Sequence, residues 1–349
     1  MIKKEVSNSR LYHRFMFRYK QKRIKLYIAL LLSGMLLLGM TGCKPLPVQV
    51  SATGFYFDTF ISVTIYDAEN EERGNELSEG CMSLAEHYEN LYSKSIPTSD
   101  ISRINAHPGE YVTVDPDTIT LLQTACEYAS LSDGAIDPSI GAVSSLWDFH
   151  ETTDPAIPSD AVLSEALTHV DYRKISIKDQ QVMLTEKGMA LDLGFIAKGY
   201  IADRMKEYLS GEGVQSAIIS LGGNILAIGS KPDGSAFRVG IQKPFADTGT
   251  ALLTVEDSDR SVVSSGNYER YFEVDGVLYH HILSTQNGYP VNSGLSQVTI
   301  LSDDSVTGDA LSTLCFILGY EKTTTLLENY PDVQAIFVLD DGSVVSYNY

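Results

Sequence analysis

Two polar side chains in an otherwise apolar segment, Asp309 and Thr313, have a spacing that could bind a metal. They lie four residues apart within TGDALSTLCFIL, residues 307–318. On a helix, this spacing places both side chains on one face, a turn apart. A carboxylate and a hydroxyl so placed can supply two oxygen ligands to a hard cation such as Mg²⁺. The alternative is that Asp309 caps the helix and Thr313 only packs, because aspartate is favoured in a first turn.

A second candidate is the segment LDLGFIAKGY, residues 191–200, in which Asp192 ends a predicted apolar strand. Gly194 follows, and Lys198 and Gly199 lie near the start of a predicted helix. A helix N-terminus suits phosphate because its free amides point outward at the positive end of the helix dipole. The segment matches neither a P-loop nor GxGxxG, so ordinary strand–turn–helix packing is the alternative.

Two further segments contain residues suited to a binding cleft. His281 lies in YHHILSTQNGYPV after a predicted strand, and adjacent side chains on a strand face opposite ways. At most one of His280 and His281 therefore faces a given cleft, and a structural role is the alternative. The segment AIDPSIGAVSSLWDF, residues 135–149, contains Asp137 and the only tryptophan, Trp147. It predicts either a surface for a flat ring or an ordered loop.

The elements that must position these residues alternate between strands and helices, without an internal repeat. Strand patterns are predicted at 55–67, 174–177, 182–184, 333–339 and 343–347, and residues 215–301 are rich in strands. Helices are predicted at 75–93, 117–131, in the second half of 189–210, over 307–318 and at 321–329. Asp275-Gly276, between two strand patterns, predicts a hairpin turn. The pattern indicates one α+β domain.

The N-terminal segment has the pattern of a bacterial lipoprotein signal. Residues 1–25 contain nine Lys and Arg and one acidic residue, and the apolar run LYIALLLSGMLLLGM follows at 26–40. Small residues then precede Cys43, the predicted site of lipidation, which would anchor an extracytoplasmic protein to the cell membrane. An uncleaved signal anchor is the alternative. The predicted organisation is a signal peptide at 1–42, a lipid-anchored tether at 43–54 and a domain at 55–349.

The charge balance excludes some partners. The chain has a formal net charge of −19, and without residues 1–42 it keeps 17 Lys and Arg against 44 Asp and Glu, which gives −27. So acidic a surface repels nucleic acid and anionic headgroups, and an anionic ligand would need a local metal or helix amides. Cys81, Cys126 and Cys315 form no CxxC pattern, and a Cys81–Cys126 disulfide is left open.

Together, these segments resemble the ApbE family of FAD:protein FMN transferases, which are typically exported flavin-handling lipoproteins. The resemblance extends from about Phe55 to the C-terminus. It rests on seven blocks in the family's order: SDISRIN, DGAIDPSIGAVSSLWDF, LDLGFIAKGYIAD, SLGGNILAIG, SSGNYERYF, HHILSTQNGYPV and GDALSTLCFILG. It implies an α+β domain with mixed or antiparallel sheets and helices packed around a flavin cleft.

The resemblance also implies a reaction and its residues. The family transfers FMN from FAD to a threonine of an exported acceptor protein, with Mg²⁺, and releases AMP. Its metal ligands correspond to Asp309, Thr313 and the main-chain carbonyl of Phe195. Its FAD contacts correspond to Phe57, Ser95, Ala135, Ile136, Asp137, Asp192, Lys198 and Leu283. His281 corresponds to the family's histidine before a turn and is assigned to proton transfer or orientation.

The sequence departs from the family pattern at three places. Phe57-Asp58-Thr59 stands where Met-Gly-Thr is usual, and His281-Ile282-Leu283-Ser284-Thr285 stands where His-Ile-Ile-Asp-Pro is usual. Ser95 replaces a tyrosine found in many transferases, which loosens the expected packing around adenine. Two alternatives therefore accompany the transferase: a pyrophosphatase that cleaves FAD to FMN and AMP, and a lipoprotein that binds flavin or another solute without turnover.

Overall fold

A computed structural model describes residues 16–25, 27, 47–149 and 153–349. The chain divides into a segment up to Leu46 and a compact unit, Pro47–Tyr349. In the first segment, residues 16–25 are helical (α1). Cys43 and most of the predicted signal peptide lie outside the described residues. Within the described part of the chain, no helix is both long and apolar enough to span a membrane.

The compact unit alternates strands and helices throughout. Its helices are α2 (Glu71–Tyr92), α3 (Asp100–Ala106), α4 (Pro116–Leu131), α5 (Gly141–Ser144), α6 (Asp160–Leu167), α7 (Ala197–Gly211), α8 (Ser305–Leu318) and α9 (Tyr320–Leu327). Its first eight strands are β1 (Val48–Tyr56), β2 (Thr59–Ala68), β3 (Val112–Thr113), β4 (Ile175–Lys178), β5 (Gln181–Leu184), β6 (Ser216–Leu221), β7 (Asn224–Gly229) and β8 (Phe237–Gln242). The remaining strands are β9 (Ala251–Asp257), β10 (Ser261–Gly266), β11 (Tyr271–Val274), β12 (Val277–His280), β13 (Leu295–Ser302), β14 (Gln334–Leu339) and β15 (Val344–Tyr347).

One large antiparallel sheet organises the unit. Its eight strands run in the order β1-β2-β6-β7-β10-β13-β14-β15, and the three smaller sheets, β3-β5-β4, β8-β9 and β11-β12, are also antiparallel. Helices α2 and α7 share one apolar core with β2 and β6, while α8 shares a second core with β13 and β14. The α+β class and the antiparallel sheets predicted from the sequence are confirmed.

The N-terminal boundary of the domain differs from the prediction. Residues 48–54, predicted as tether, belong to strand β1. The strand predicted at 55–67 is confirmed over 59–67 as part of β2, whereas residues 55–58 are the end of β1 and the turn of a β1–β2 hairpin. Its two-residue turn is Phe57-Asp58, with φ of 53° and 56°. Such a turn usually contains Asn-Gly, because glycine and asparagine tolerate positive φ. Because Phe-Asp is not a typical turn dipeptide, the sequence pattern did not predict the hairpin.

Three other predictions have clear outcomes. The hairpin turn at Asp275-Gly276 is confirmed, with β11 and β12 paired on either side of it. The apolar strand predicted before Asp192 is wrong, because that segment contributes only an isolated bridge between Ala190 and Ile140. The disulfide left open is absent from the described residues, in which Cys81 and Cys126 are both free.

Candidate active site

A cavity of about 380 Å³ opens between the β1–β2 turn, the start of α7, helix α8 and the segments that follow α4 and β12. The residues predicted to act within the domain line this cavity, with one exception. Those that line it are Phe57, Ser95, Ala135, Ile136, Asp137, Asp192, Phe195, Lys198, His281, Leu283 and Thr313. The exception, Asp309, is 3% exposed and does not line the cavity, although its Oδ1 lies 3.9 Å from the lining residue Lys198. The fold thus brings together residues that lie up to 256 positions apart.

Helices α7 and α8 form the part of the wall that could hold a metal. Asp304, not Asp309, is the N-cap of α8, and its carboxylate accepts a hydrogen bond of 2.8 Å from the Thr307 amide. The alternative in which Asp309 caps its own helix is therefore wrong. The Asp309 carboxylate instead accepts a hydrogen bond of 2.8 Å from the Gly199 amide, in the first turn of α7. Asp309 thus joins the two helices.

The oxygens left available at this wall suit Mg²⁺. Asp309 Oδ1 lies 3.9 Å from Lys198 Nζ, and Thr313 Oγ1 lies 3.1 Å from Ser265 Oγ. The Phe195 carbonyl accepts none of the hydrogen bonds found among the described residues. A carboxylate, a hydroxyl and a free carbonyl form a set of hard oxygen donors, which Mg²⁺ prefers and supplements with water or phosphate oxygens. The residues present therefore fit the metal that the family resemblance implies.

In the ranges that the structure describes, no group of three or more His, Cys, Asp or Glu side chains could hold a metal. A metal held by Asp309, Thr313 and the Phe195 carbonyl would therefore have one carboxylate ligand and two neutral oxygen ligands from the protein.

An ion pair between Asp192 and the half-exposed Lys94 also lines the cavity. Asp192 Oδ2 lies 2.6 Å from Lys94 Nζ and accepts a hydrogen bond of 2.7 Å from Ser144 Oγ, while Oδ1 accepts one of 3.0 Å from the Gly194 amide. Burial disfavours the charged carboxylate, but Lys94 and the hydrogen bonds outweigh it and hold the pKa of Asp192 below its ordinary value. Asp192 is therefore an ionised, fixed acceptor at the cavity wall.

Three cationic side chains line the cavity: Lys94, Lys198 and Arg270. Lys94 is paired with Asp192 and Lys198 lies 3.9 Å from Asp309, so these cations offset nearby carboxylates and offer an anionic ligand donors within a strongly acidic chain. Lys94 and Arg270 were not predicted as site residues, because an isolated cation in a loop has no spacing that marks it. For Lys94 the sequence held one signal, its position directly before Ser95. The link of Arg270 to the site is seen only in the fold, where its carbonyl accepts a hydrogen bond of 3.1 Å from the His281 amide.

The carboxylate of Asp137 has a structural role. It accepts hydrogen bonds from the Ser139 amide (2.8 Å), the Ser139 hydroxyl (2.6 Å) and the Tyr172 amide (2.8 Å). Burial raises the pKa of Asp137, against the effect of these hydrogen bonds. Because its carboxylate oxygens are engaged inside the protein, we assign the contribution of Asp137 to the cavity to its main chain and to the shape of the loop.

Aromatic rings form the apolar side of the site. Trp147 and Phe149 line the cavity and stack with ring centroids 5.7 Å apart, and Phe272 packs against Phe149 at 5.7 Å. Trp147 is 6% exposed, and its Nε1 donates a hydrogen bond of 3.0 Å to the Gly288 carbonyl. The segment that contains Trp147 is thus an ordered loop, and at the same time it presents aromatic surface to the cavity.

His281 faces the cavity and its neighbour does not. His280 is 4% exposed, and its Nε2 lies 3.0 Å from the Val291 carbonyl. His281 Nδ1 is buried and has no hydrogen-bond partner among the described residues. Burial, together with the nearby cations Arg270 and Lys198, lowers the pKa of His281 to about 3. At neutral pH, the cavity therefore contains an uncharged imidazole with one unsatisfied ring nitrogen.

The β1–β2 turn is held in a strained conformation at the cavity. Phe57 has a φ of 53°, which is rare for a bulky side chain. Its amide donates a hydrogen bond of 2.6 Å to Glu89 Oε1, on helix α2. Strain of this kind concentrates at binding and catalytic sites, where the surrounding structure fixes it. The departure from the family pattern at Phe57-Asp58 therefore alters a side chain that lines the cavity.

These features define an α+β protein with an apolar cavity that is bounded by cations and by oxygen ligands. The chain matches the model of the ApbE family over residues 57–337 and therefore belongs to this family. It is 34% identical over 322 residues to the FAD:protein FMN transferase of Treponema pallidum (strain Nichols), covering 88% of this chain and 89% of that protein. It is 38% identical over 272 residues to the FAD:protein FMN transferase of Klebsiella pneumoniae (strain 342), covering 77% and 84%.

Solved structures show the same fold. The crystal structure of the ApbE protein of Thermotoga maritima matches with a TM-score of 0.78 and 31% identity, over 86% of this chain and 97% of that chain. The flavin transferase ApbE of Vibrio cholerae matches with a TM-score of 0.76 and 26% identity, over 86% and 96%. The family resemblance read from the sequence motifs is confirmed.

Proposed function

We propose that this protein is a FAD:protein FMN transferase that moves the FMN part of FAD onto a threonine hydroxyl of an exported acceptor protein. The proposal is supported by family membership and by the relatives that carry this name. The observation that carries it is the composition of the cavity, which combines an aromatic wall with three cations and a set of oxygen donors. FAD has a flat ring and a diphosphate, and therefore needs both kinds of surface.

The two ends of the cavity suggest how FAD binds. The aromatic and aliphatic side, with Trp147, Phe149 and Leu283, suits the isoalloxazine ring. Lys198, next to the proposed metal ligands, suits the diphosphate. When bound, Mg²⁺ would neutralise charge on the phosphate oxygens, and Asp309, Thr313 and the Phe195 carbonyl would hold it.

The transfer step exchanges the phosphoanhydride bond of FAD for a phosphate ester bond to threonine. The threonine oxygen attacks the phosphorus that bears riboflavin, the bond from that phosphorus to the bridging oxygen breaks, and AMP leaves with the bridging oxygen. The hydroxyl proton is released to water during the step. His281, uncharged and with Nδ1 unsatisfied, can accept a hydrogen bond from this hydroxyl and orient it. With a pKa of about 3, the His281 ring has little tendency to take up the hydroxyl proton at neutral pH. Its role is therefore to orient the hydroxyl rather than to act as the general base.

Ser95 favours a second activity in the same site. It lines the cavity, is exposed, and stands where many transferases have tyrosine. A small side chain leaves water more room to approach the phosphorus, so FAD hydrolysis to FMN and AMP would compete with transfer. We therefore infer measurable hydrolysis when no acceptor is present.

The location of the reaction is also part of the proposal. The lipoprotein signal and Cys43 support a protein that is attached to the membrane by an N-terminal lipid and works outside the cytoplasm. The acceptor would then be an exported flavoprotein with a threonine in a flavinylation motif. The strongly acidic chain supports neither a nucleic acid partner nor attachment to anionic lipid through the protein surface.

To test the proposed transfer, the purified protein is incubated with FAD, Mg²⁺ and an exported protein that contains the threonine motif. The expected result is AMP release with stoichiometric covalent flavin on the acceptor, visible as in-gel fluorescence and as the mass of FMN on a threonine peptide. Omission of Mg²⁺ should abolish both. AMP release without covalent flavin on any such acceptor would identify a pyrophosphatase, and FAD binding without AMP release would identify a binding protein.

A further inference from the structure

The N-termini of helices α7 and α8 each bind a carboxylate from the other helix. Asp203 of α7 accepts hydrogen bonds of 2.8 Å from the Ser305 and Val306 amides of α8, one on each carboxylate oxygen. Asp309 of α8 accepts the hydrogen bond from the Gly199 amide of α7. The first amides of a helix have no partner within it, so each carboxylate satisfies free amides at the positive end of the other helix.

This exchange occurs where the two helices approach closely. A Cβ atom on Gly199 would lie 2.3 Å from the Ser305 carbonyl oxygen. The Ser305 hydroxyl also bonds to Asn224 Oδ1 at 2.7 Å and to Ser261 Oγ at 2.9 Å, on strands β7 and β10. The start of α8 is therefore fixed by the sheet on one side and by Asp203 on the other.

Asp203 is not among the residues that line the cavity, whereas the helix that it binds carries the proposed metal ligands. Thr313 follows Val306 by seven residues, about two turns of α8, and Asp309 lies between them. Burial raises the pKa of Asp203 to about 6, so the carboxylate is ionised at neutral pH and both oxygens can accept. A shift of α8 along α7 would move Asp309 and Thr313 together, away from the Phe195 carbonyl.

We propose that Asp203 is a positioning residue that sets the register of α8 against α7 and thereby holds Asp309 and Thr313 in place for the metal. The inference rests on the metal site of the proposed function, but it concerns a residue outside that site. An asparagine at position 203 keeps the size of the side chain and one acceptor. Its amide group then faces a backbone N–H, so one of the two bonds is lost and a donor opposes a donor.

The experiment measures the Mg²⁺ concentration that half-saturates thermal stabilisation of the full chain in the presence of FAD. Asp203→Asn is expected to raise this concentration roughly tenfold, the usual effect of loosening the support of a metal ligand. Asp203→Glu, which keeps the carboxylate, should fall between wild type and Asp203→Asn. An Asp203→Asn protein that titrates like the wild type would overturn the inference. A wild type that does not respond to Mg²⁺ would overturn the metal assignment itself, and the inference with it.

Asp100→Asn is a matched control for destabilisation alone. Asp100 is also buried and lies outside the cavity lining. Its Oδ2 accepts from the Asp115 amide (2.8 Å) and the Thr118 hydroxyl (2.7 Å) at the start of α4, and its Oδ1 pairs with Arg103. Its substitution should lower the melting temperature without changing the half-saturating Mg²⁺ concentration.

Hydrogen exchange separates the two variants directly and does not depend on metal. Asp203→Asn should accelerate exchange at the Ser305 and Val306 amides, while Asp100→Asn should accelerate it at Asp115. Unchanged protection of Ser305 and Val306 in a folded Asp203→Asn protein would show that Asp203 does not hold α8, which also overturns the inference.

Discussion

The Asp309 carboxylate accepts a hydrogen bond of 2.8 Å from the amide of Gly199, three residues into α7. A helix that began one turn earlier would direct this amide to the Phe195 carbonyl. In the described part of the chain, the Phe195 carbonyl accepts no hydrogen bond. The Asp309–Gly199 contact thus fixes the carboxylate and leaves the Phe195 oxygen available at the cavity wall, where the proposed metal requires an oxygen ligand.

Gly199→Ala should disturb both the fold and the site, because the added Cβ would lie 2.3 Å from the Ser305 carbonyl oxygen. Relief of this clash requires α7 and α8 to separate, which costs about 1–3 kcal/mol and moves Asp309. The expected result is a lower free energy of unfolding in urea together with reduced Mg²⁺-dependent AMP release. Gly211→Ala, at the other end of α7, is the matched control, since its Cβ would meet no atom within 4 Å. Equal stability of Gly199→Ala and wild type would contradict the close packing described here.

Local patterns predicted most of the elements, because their signals lie within the elements themselves. Helix α8 and the β11–β12 hairpin show helical spacing and an Asp-Gly turn, which are read from adjacent residues. The β1–β2 turn was missed because Phe57-Asp58 adopts positive φ only under tertiary constraint, including the hydrogen bond from the Phe57 amide to Glu89. Tertiary contacts also explain why the segment before Asp192 is not a strand, since it pairs with Ile140 only through the bridge at Ala190.

The site was predicted largely through ordered motifs rather than through geometry. Spacing placed Asp309 and Thr313 on one helical face, but it could not show that Asp309 binds the N-terminus of a different helix. It also could not show that the Asp137 carboxylate is engaged by Ser139 and Tyr172. Lys94 was not predicted as a site residue either, because its contact with Asp192 joins residues 98 positions apart and spacing within one element cannot show it.

Asp309→Asn should separate the metal role of Asp309 from its structural role. Asparagine retains an oxygen that can accept from the Gly199 amide, but it removes the negative charge that a metal requires. We expect near-normal thermal stability with roughly 100-fold lower AMP release at limiting Mg²⁺. Thr313→Val removes a neutral oxygen and should cost less, about tenfold. Full activity of Asp309→Asn at limiting Mg²⁺ would show that this helix does not hold the metal.

His281 should contribute to the pH dependence of stability. Its pKa is about 3 in the folded protein and about 6.5 in an unfolded chain, so between these values only the unfolded state binds the proton. The contribution to stability is complete above pH 6.5 and is lost as the pH falls toward 3. Between pH 6 and 4, the free energy of unfolding of wild type should fall more steeply than that of His281→Gln, by up to about 1.4 kcal/mol per pH unit. Urea titrations at several pH values measure this difference, and parallel curves would place the His281 ring in contact with water.

Cys43→Ser should release the protein from the membrane, because a serine cannot take the thioether-linked lipid. The measurement is fractionation of cells into membrane and soluble material, with the mass of the N-terminus determined in each. Wild type is expected in the membrane fraction, beginning at a lipidated Cys43. A Cys43→Ser protein that stays in the membrane with residues 1–42 attached would favour the signal-anchor alternative.

Ser95→Tyr should shift the balance between the two fates of FAD. Ser95 is exposed at the cavity edge, next to the Lys94 that pairs with Asp192. A tyrosine ring there could stack on adenine, hold FAD more rigidly and leave less room for water beside the phosphorus. The acceptor threonine and water compete for the position of attack, so the ratio of hydrolysis to transfer should fall. AMP release and covalent flavin on the acceptor, followed in parallel for both proteins, give this ratio directly.

Ser95→Ala is the control, because it changes the hydroxyl without adding a ring and should leave the ratio near that of wild type. If Ser95→Tyr leaves the ratio unchanged, the residue at position 95 does not govern access of water, although the proposed metal site would be unaffected.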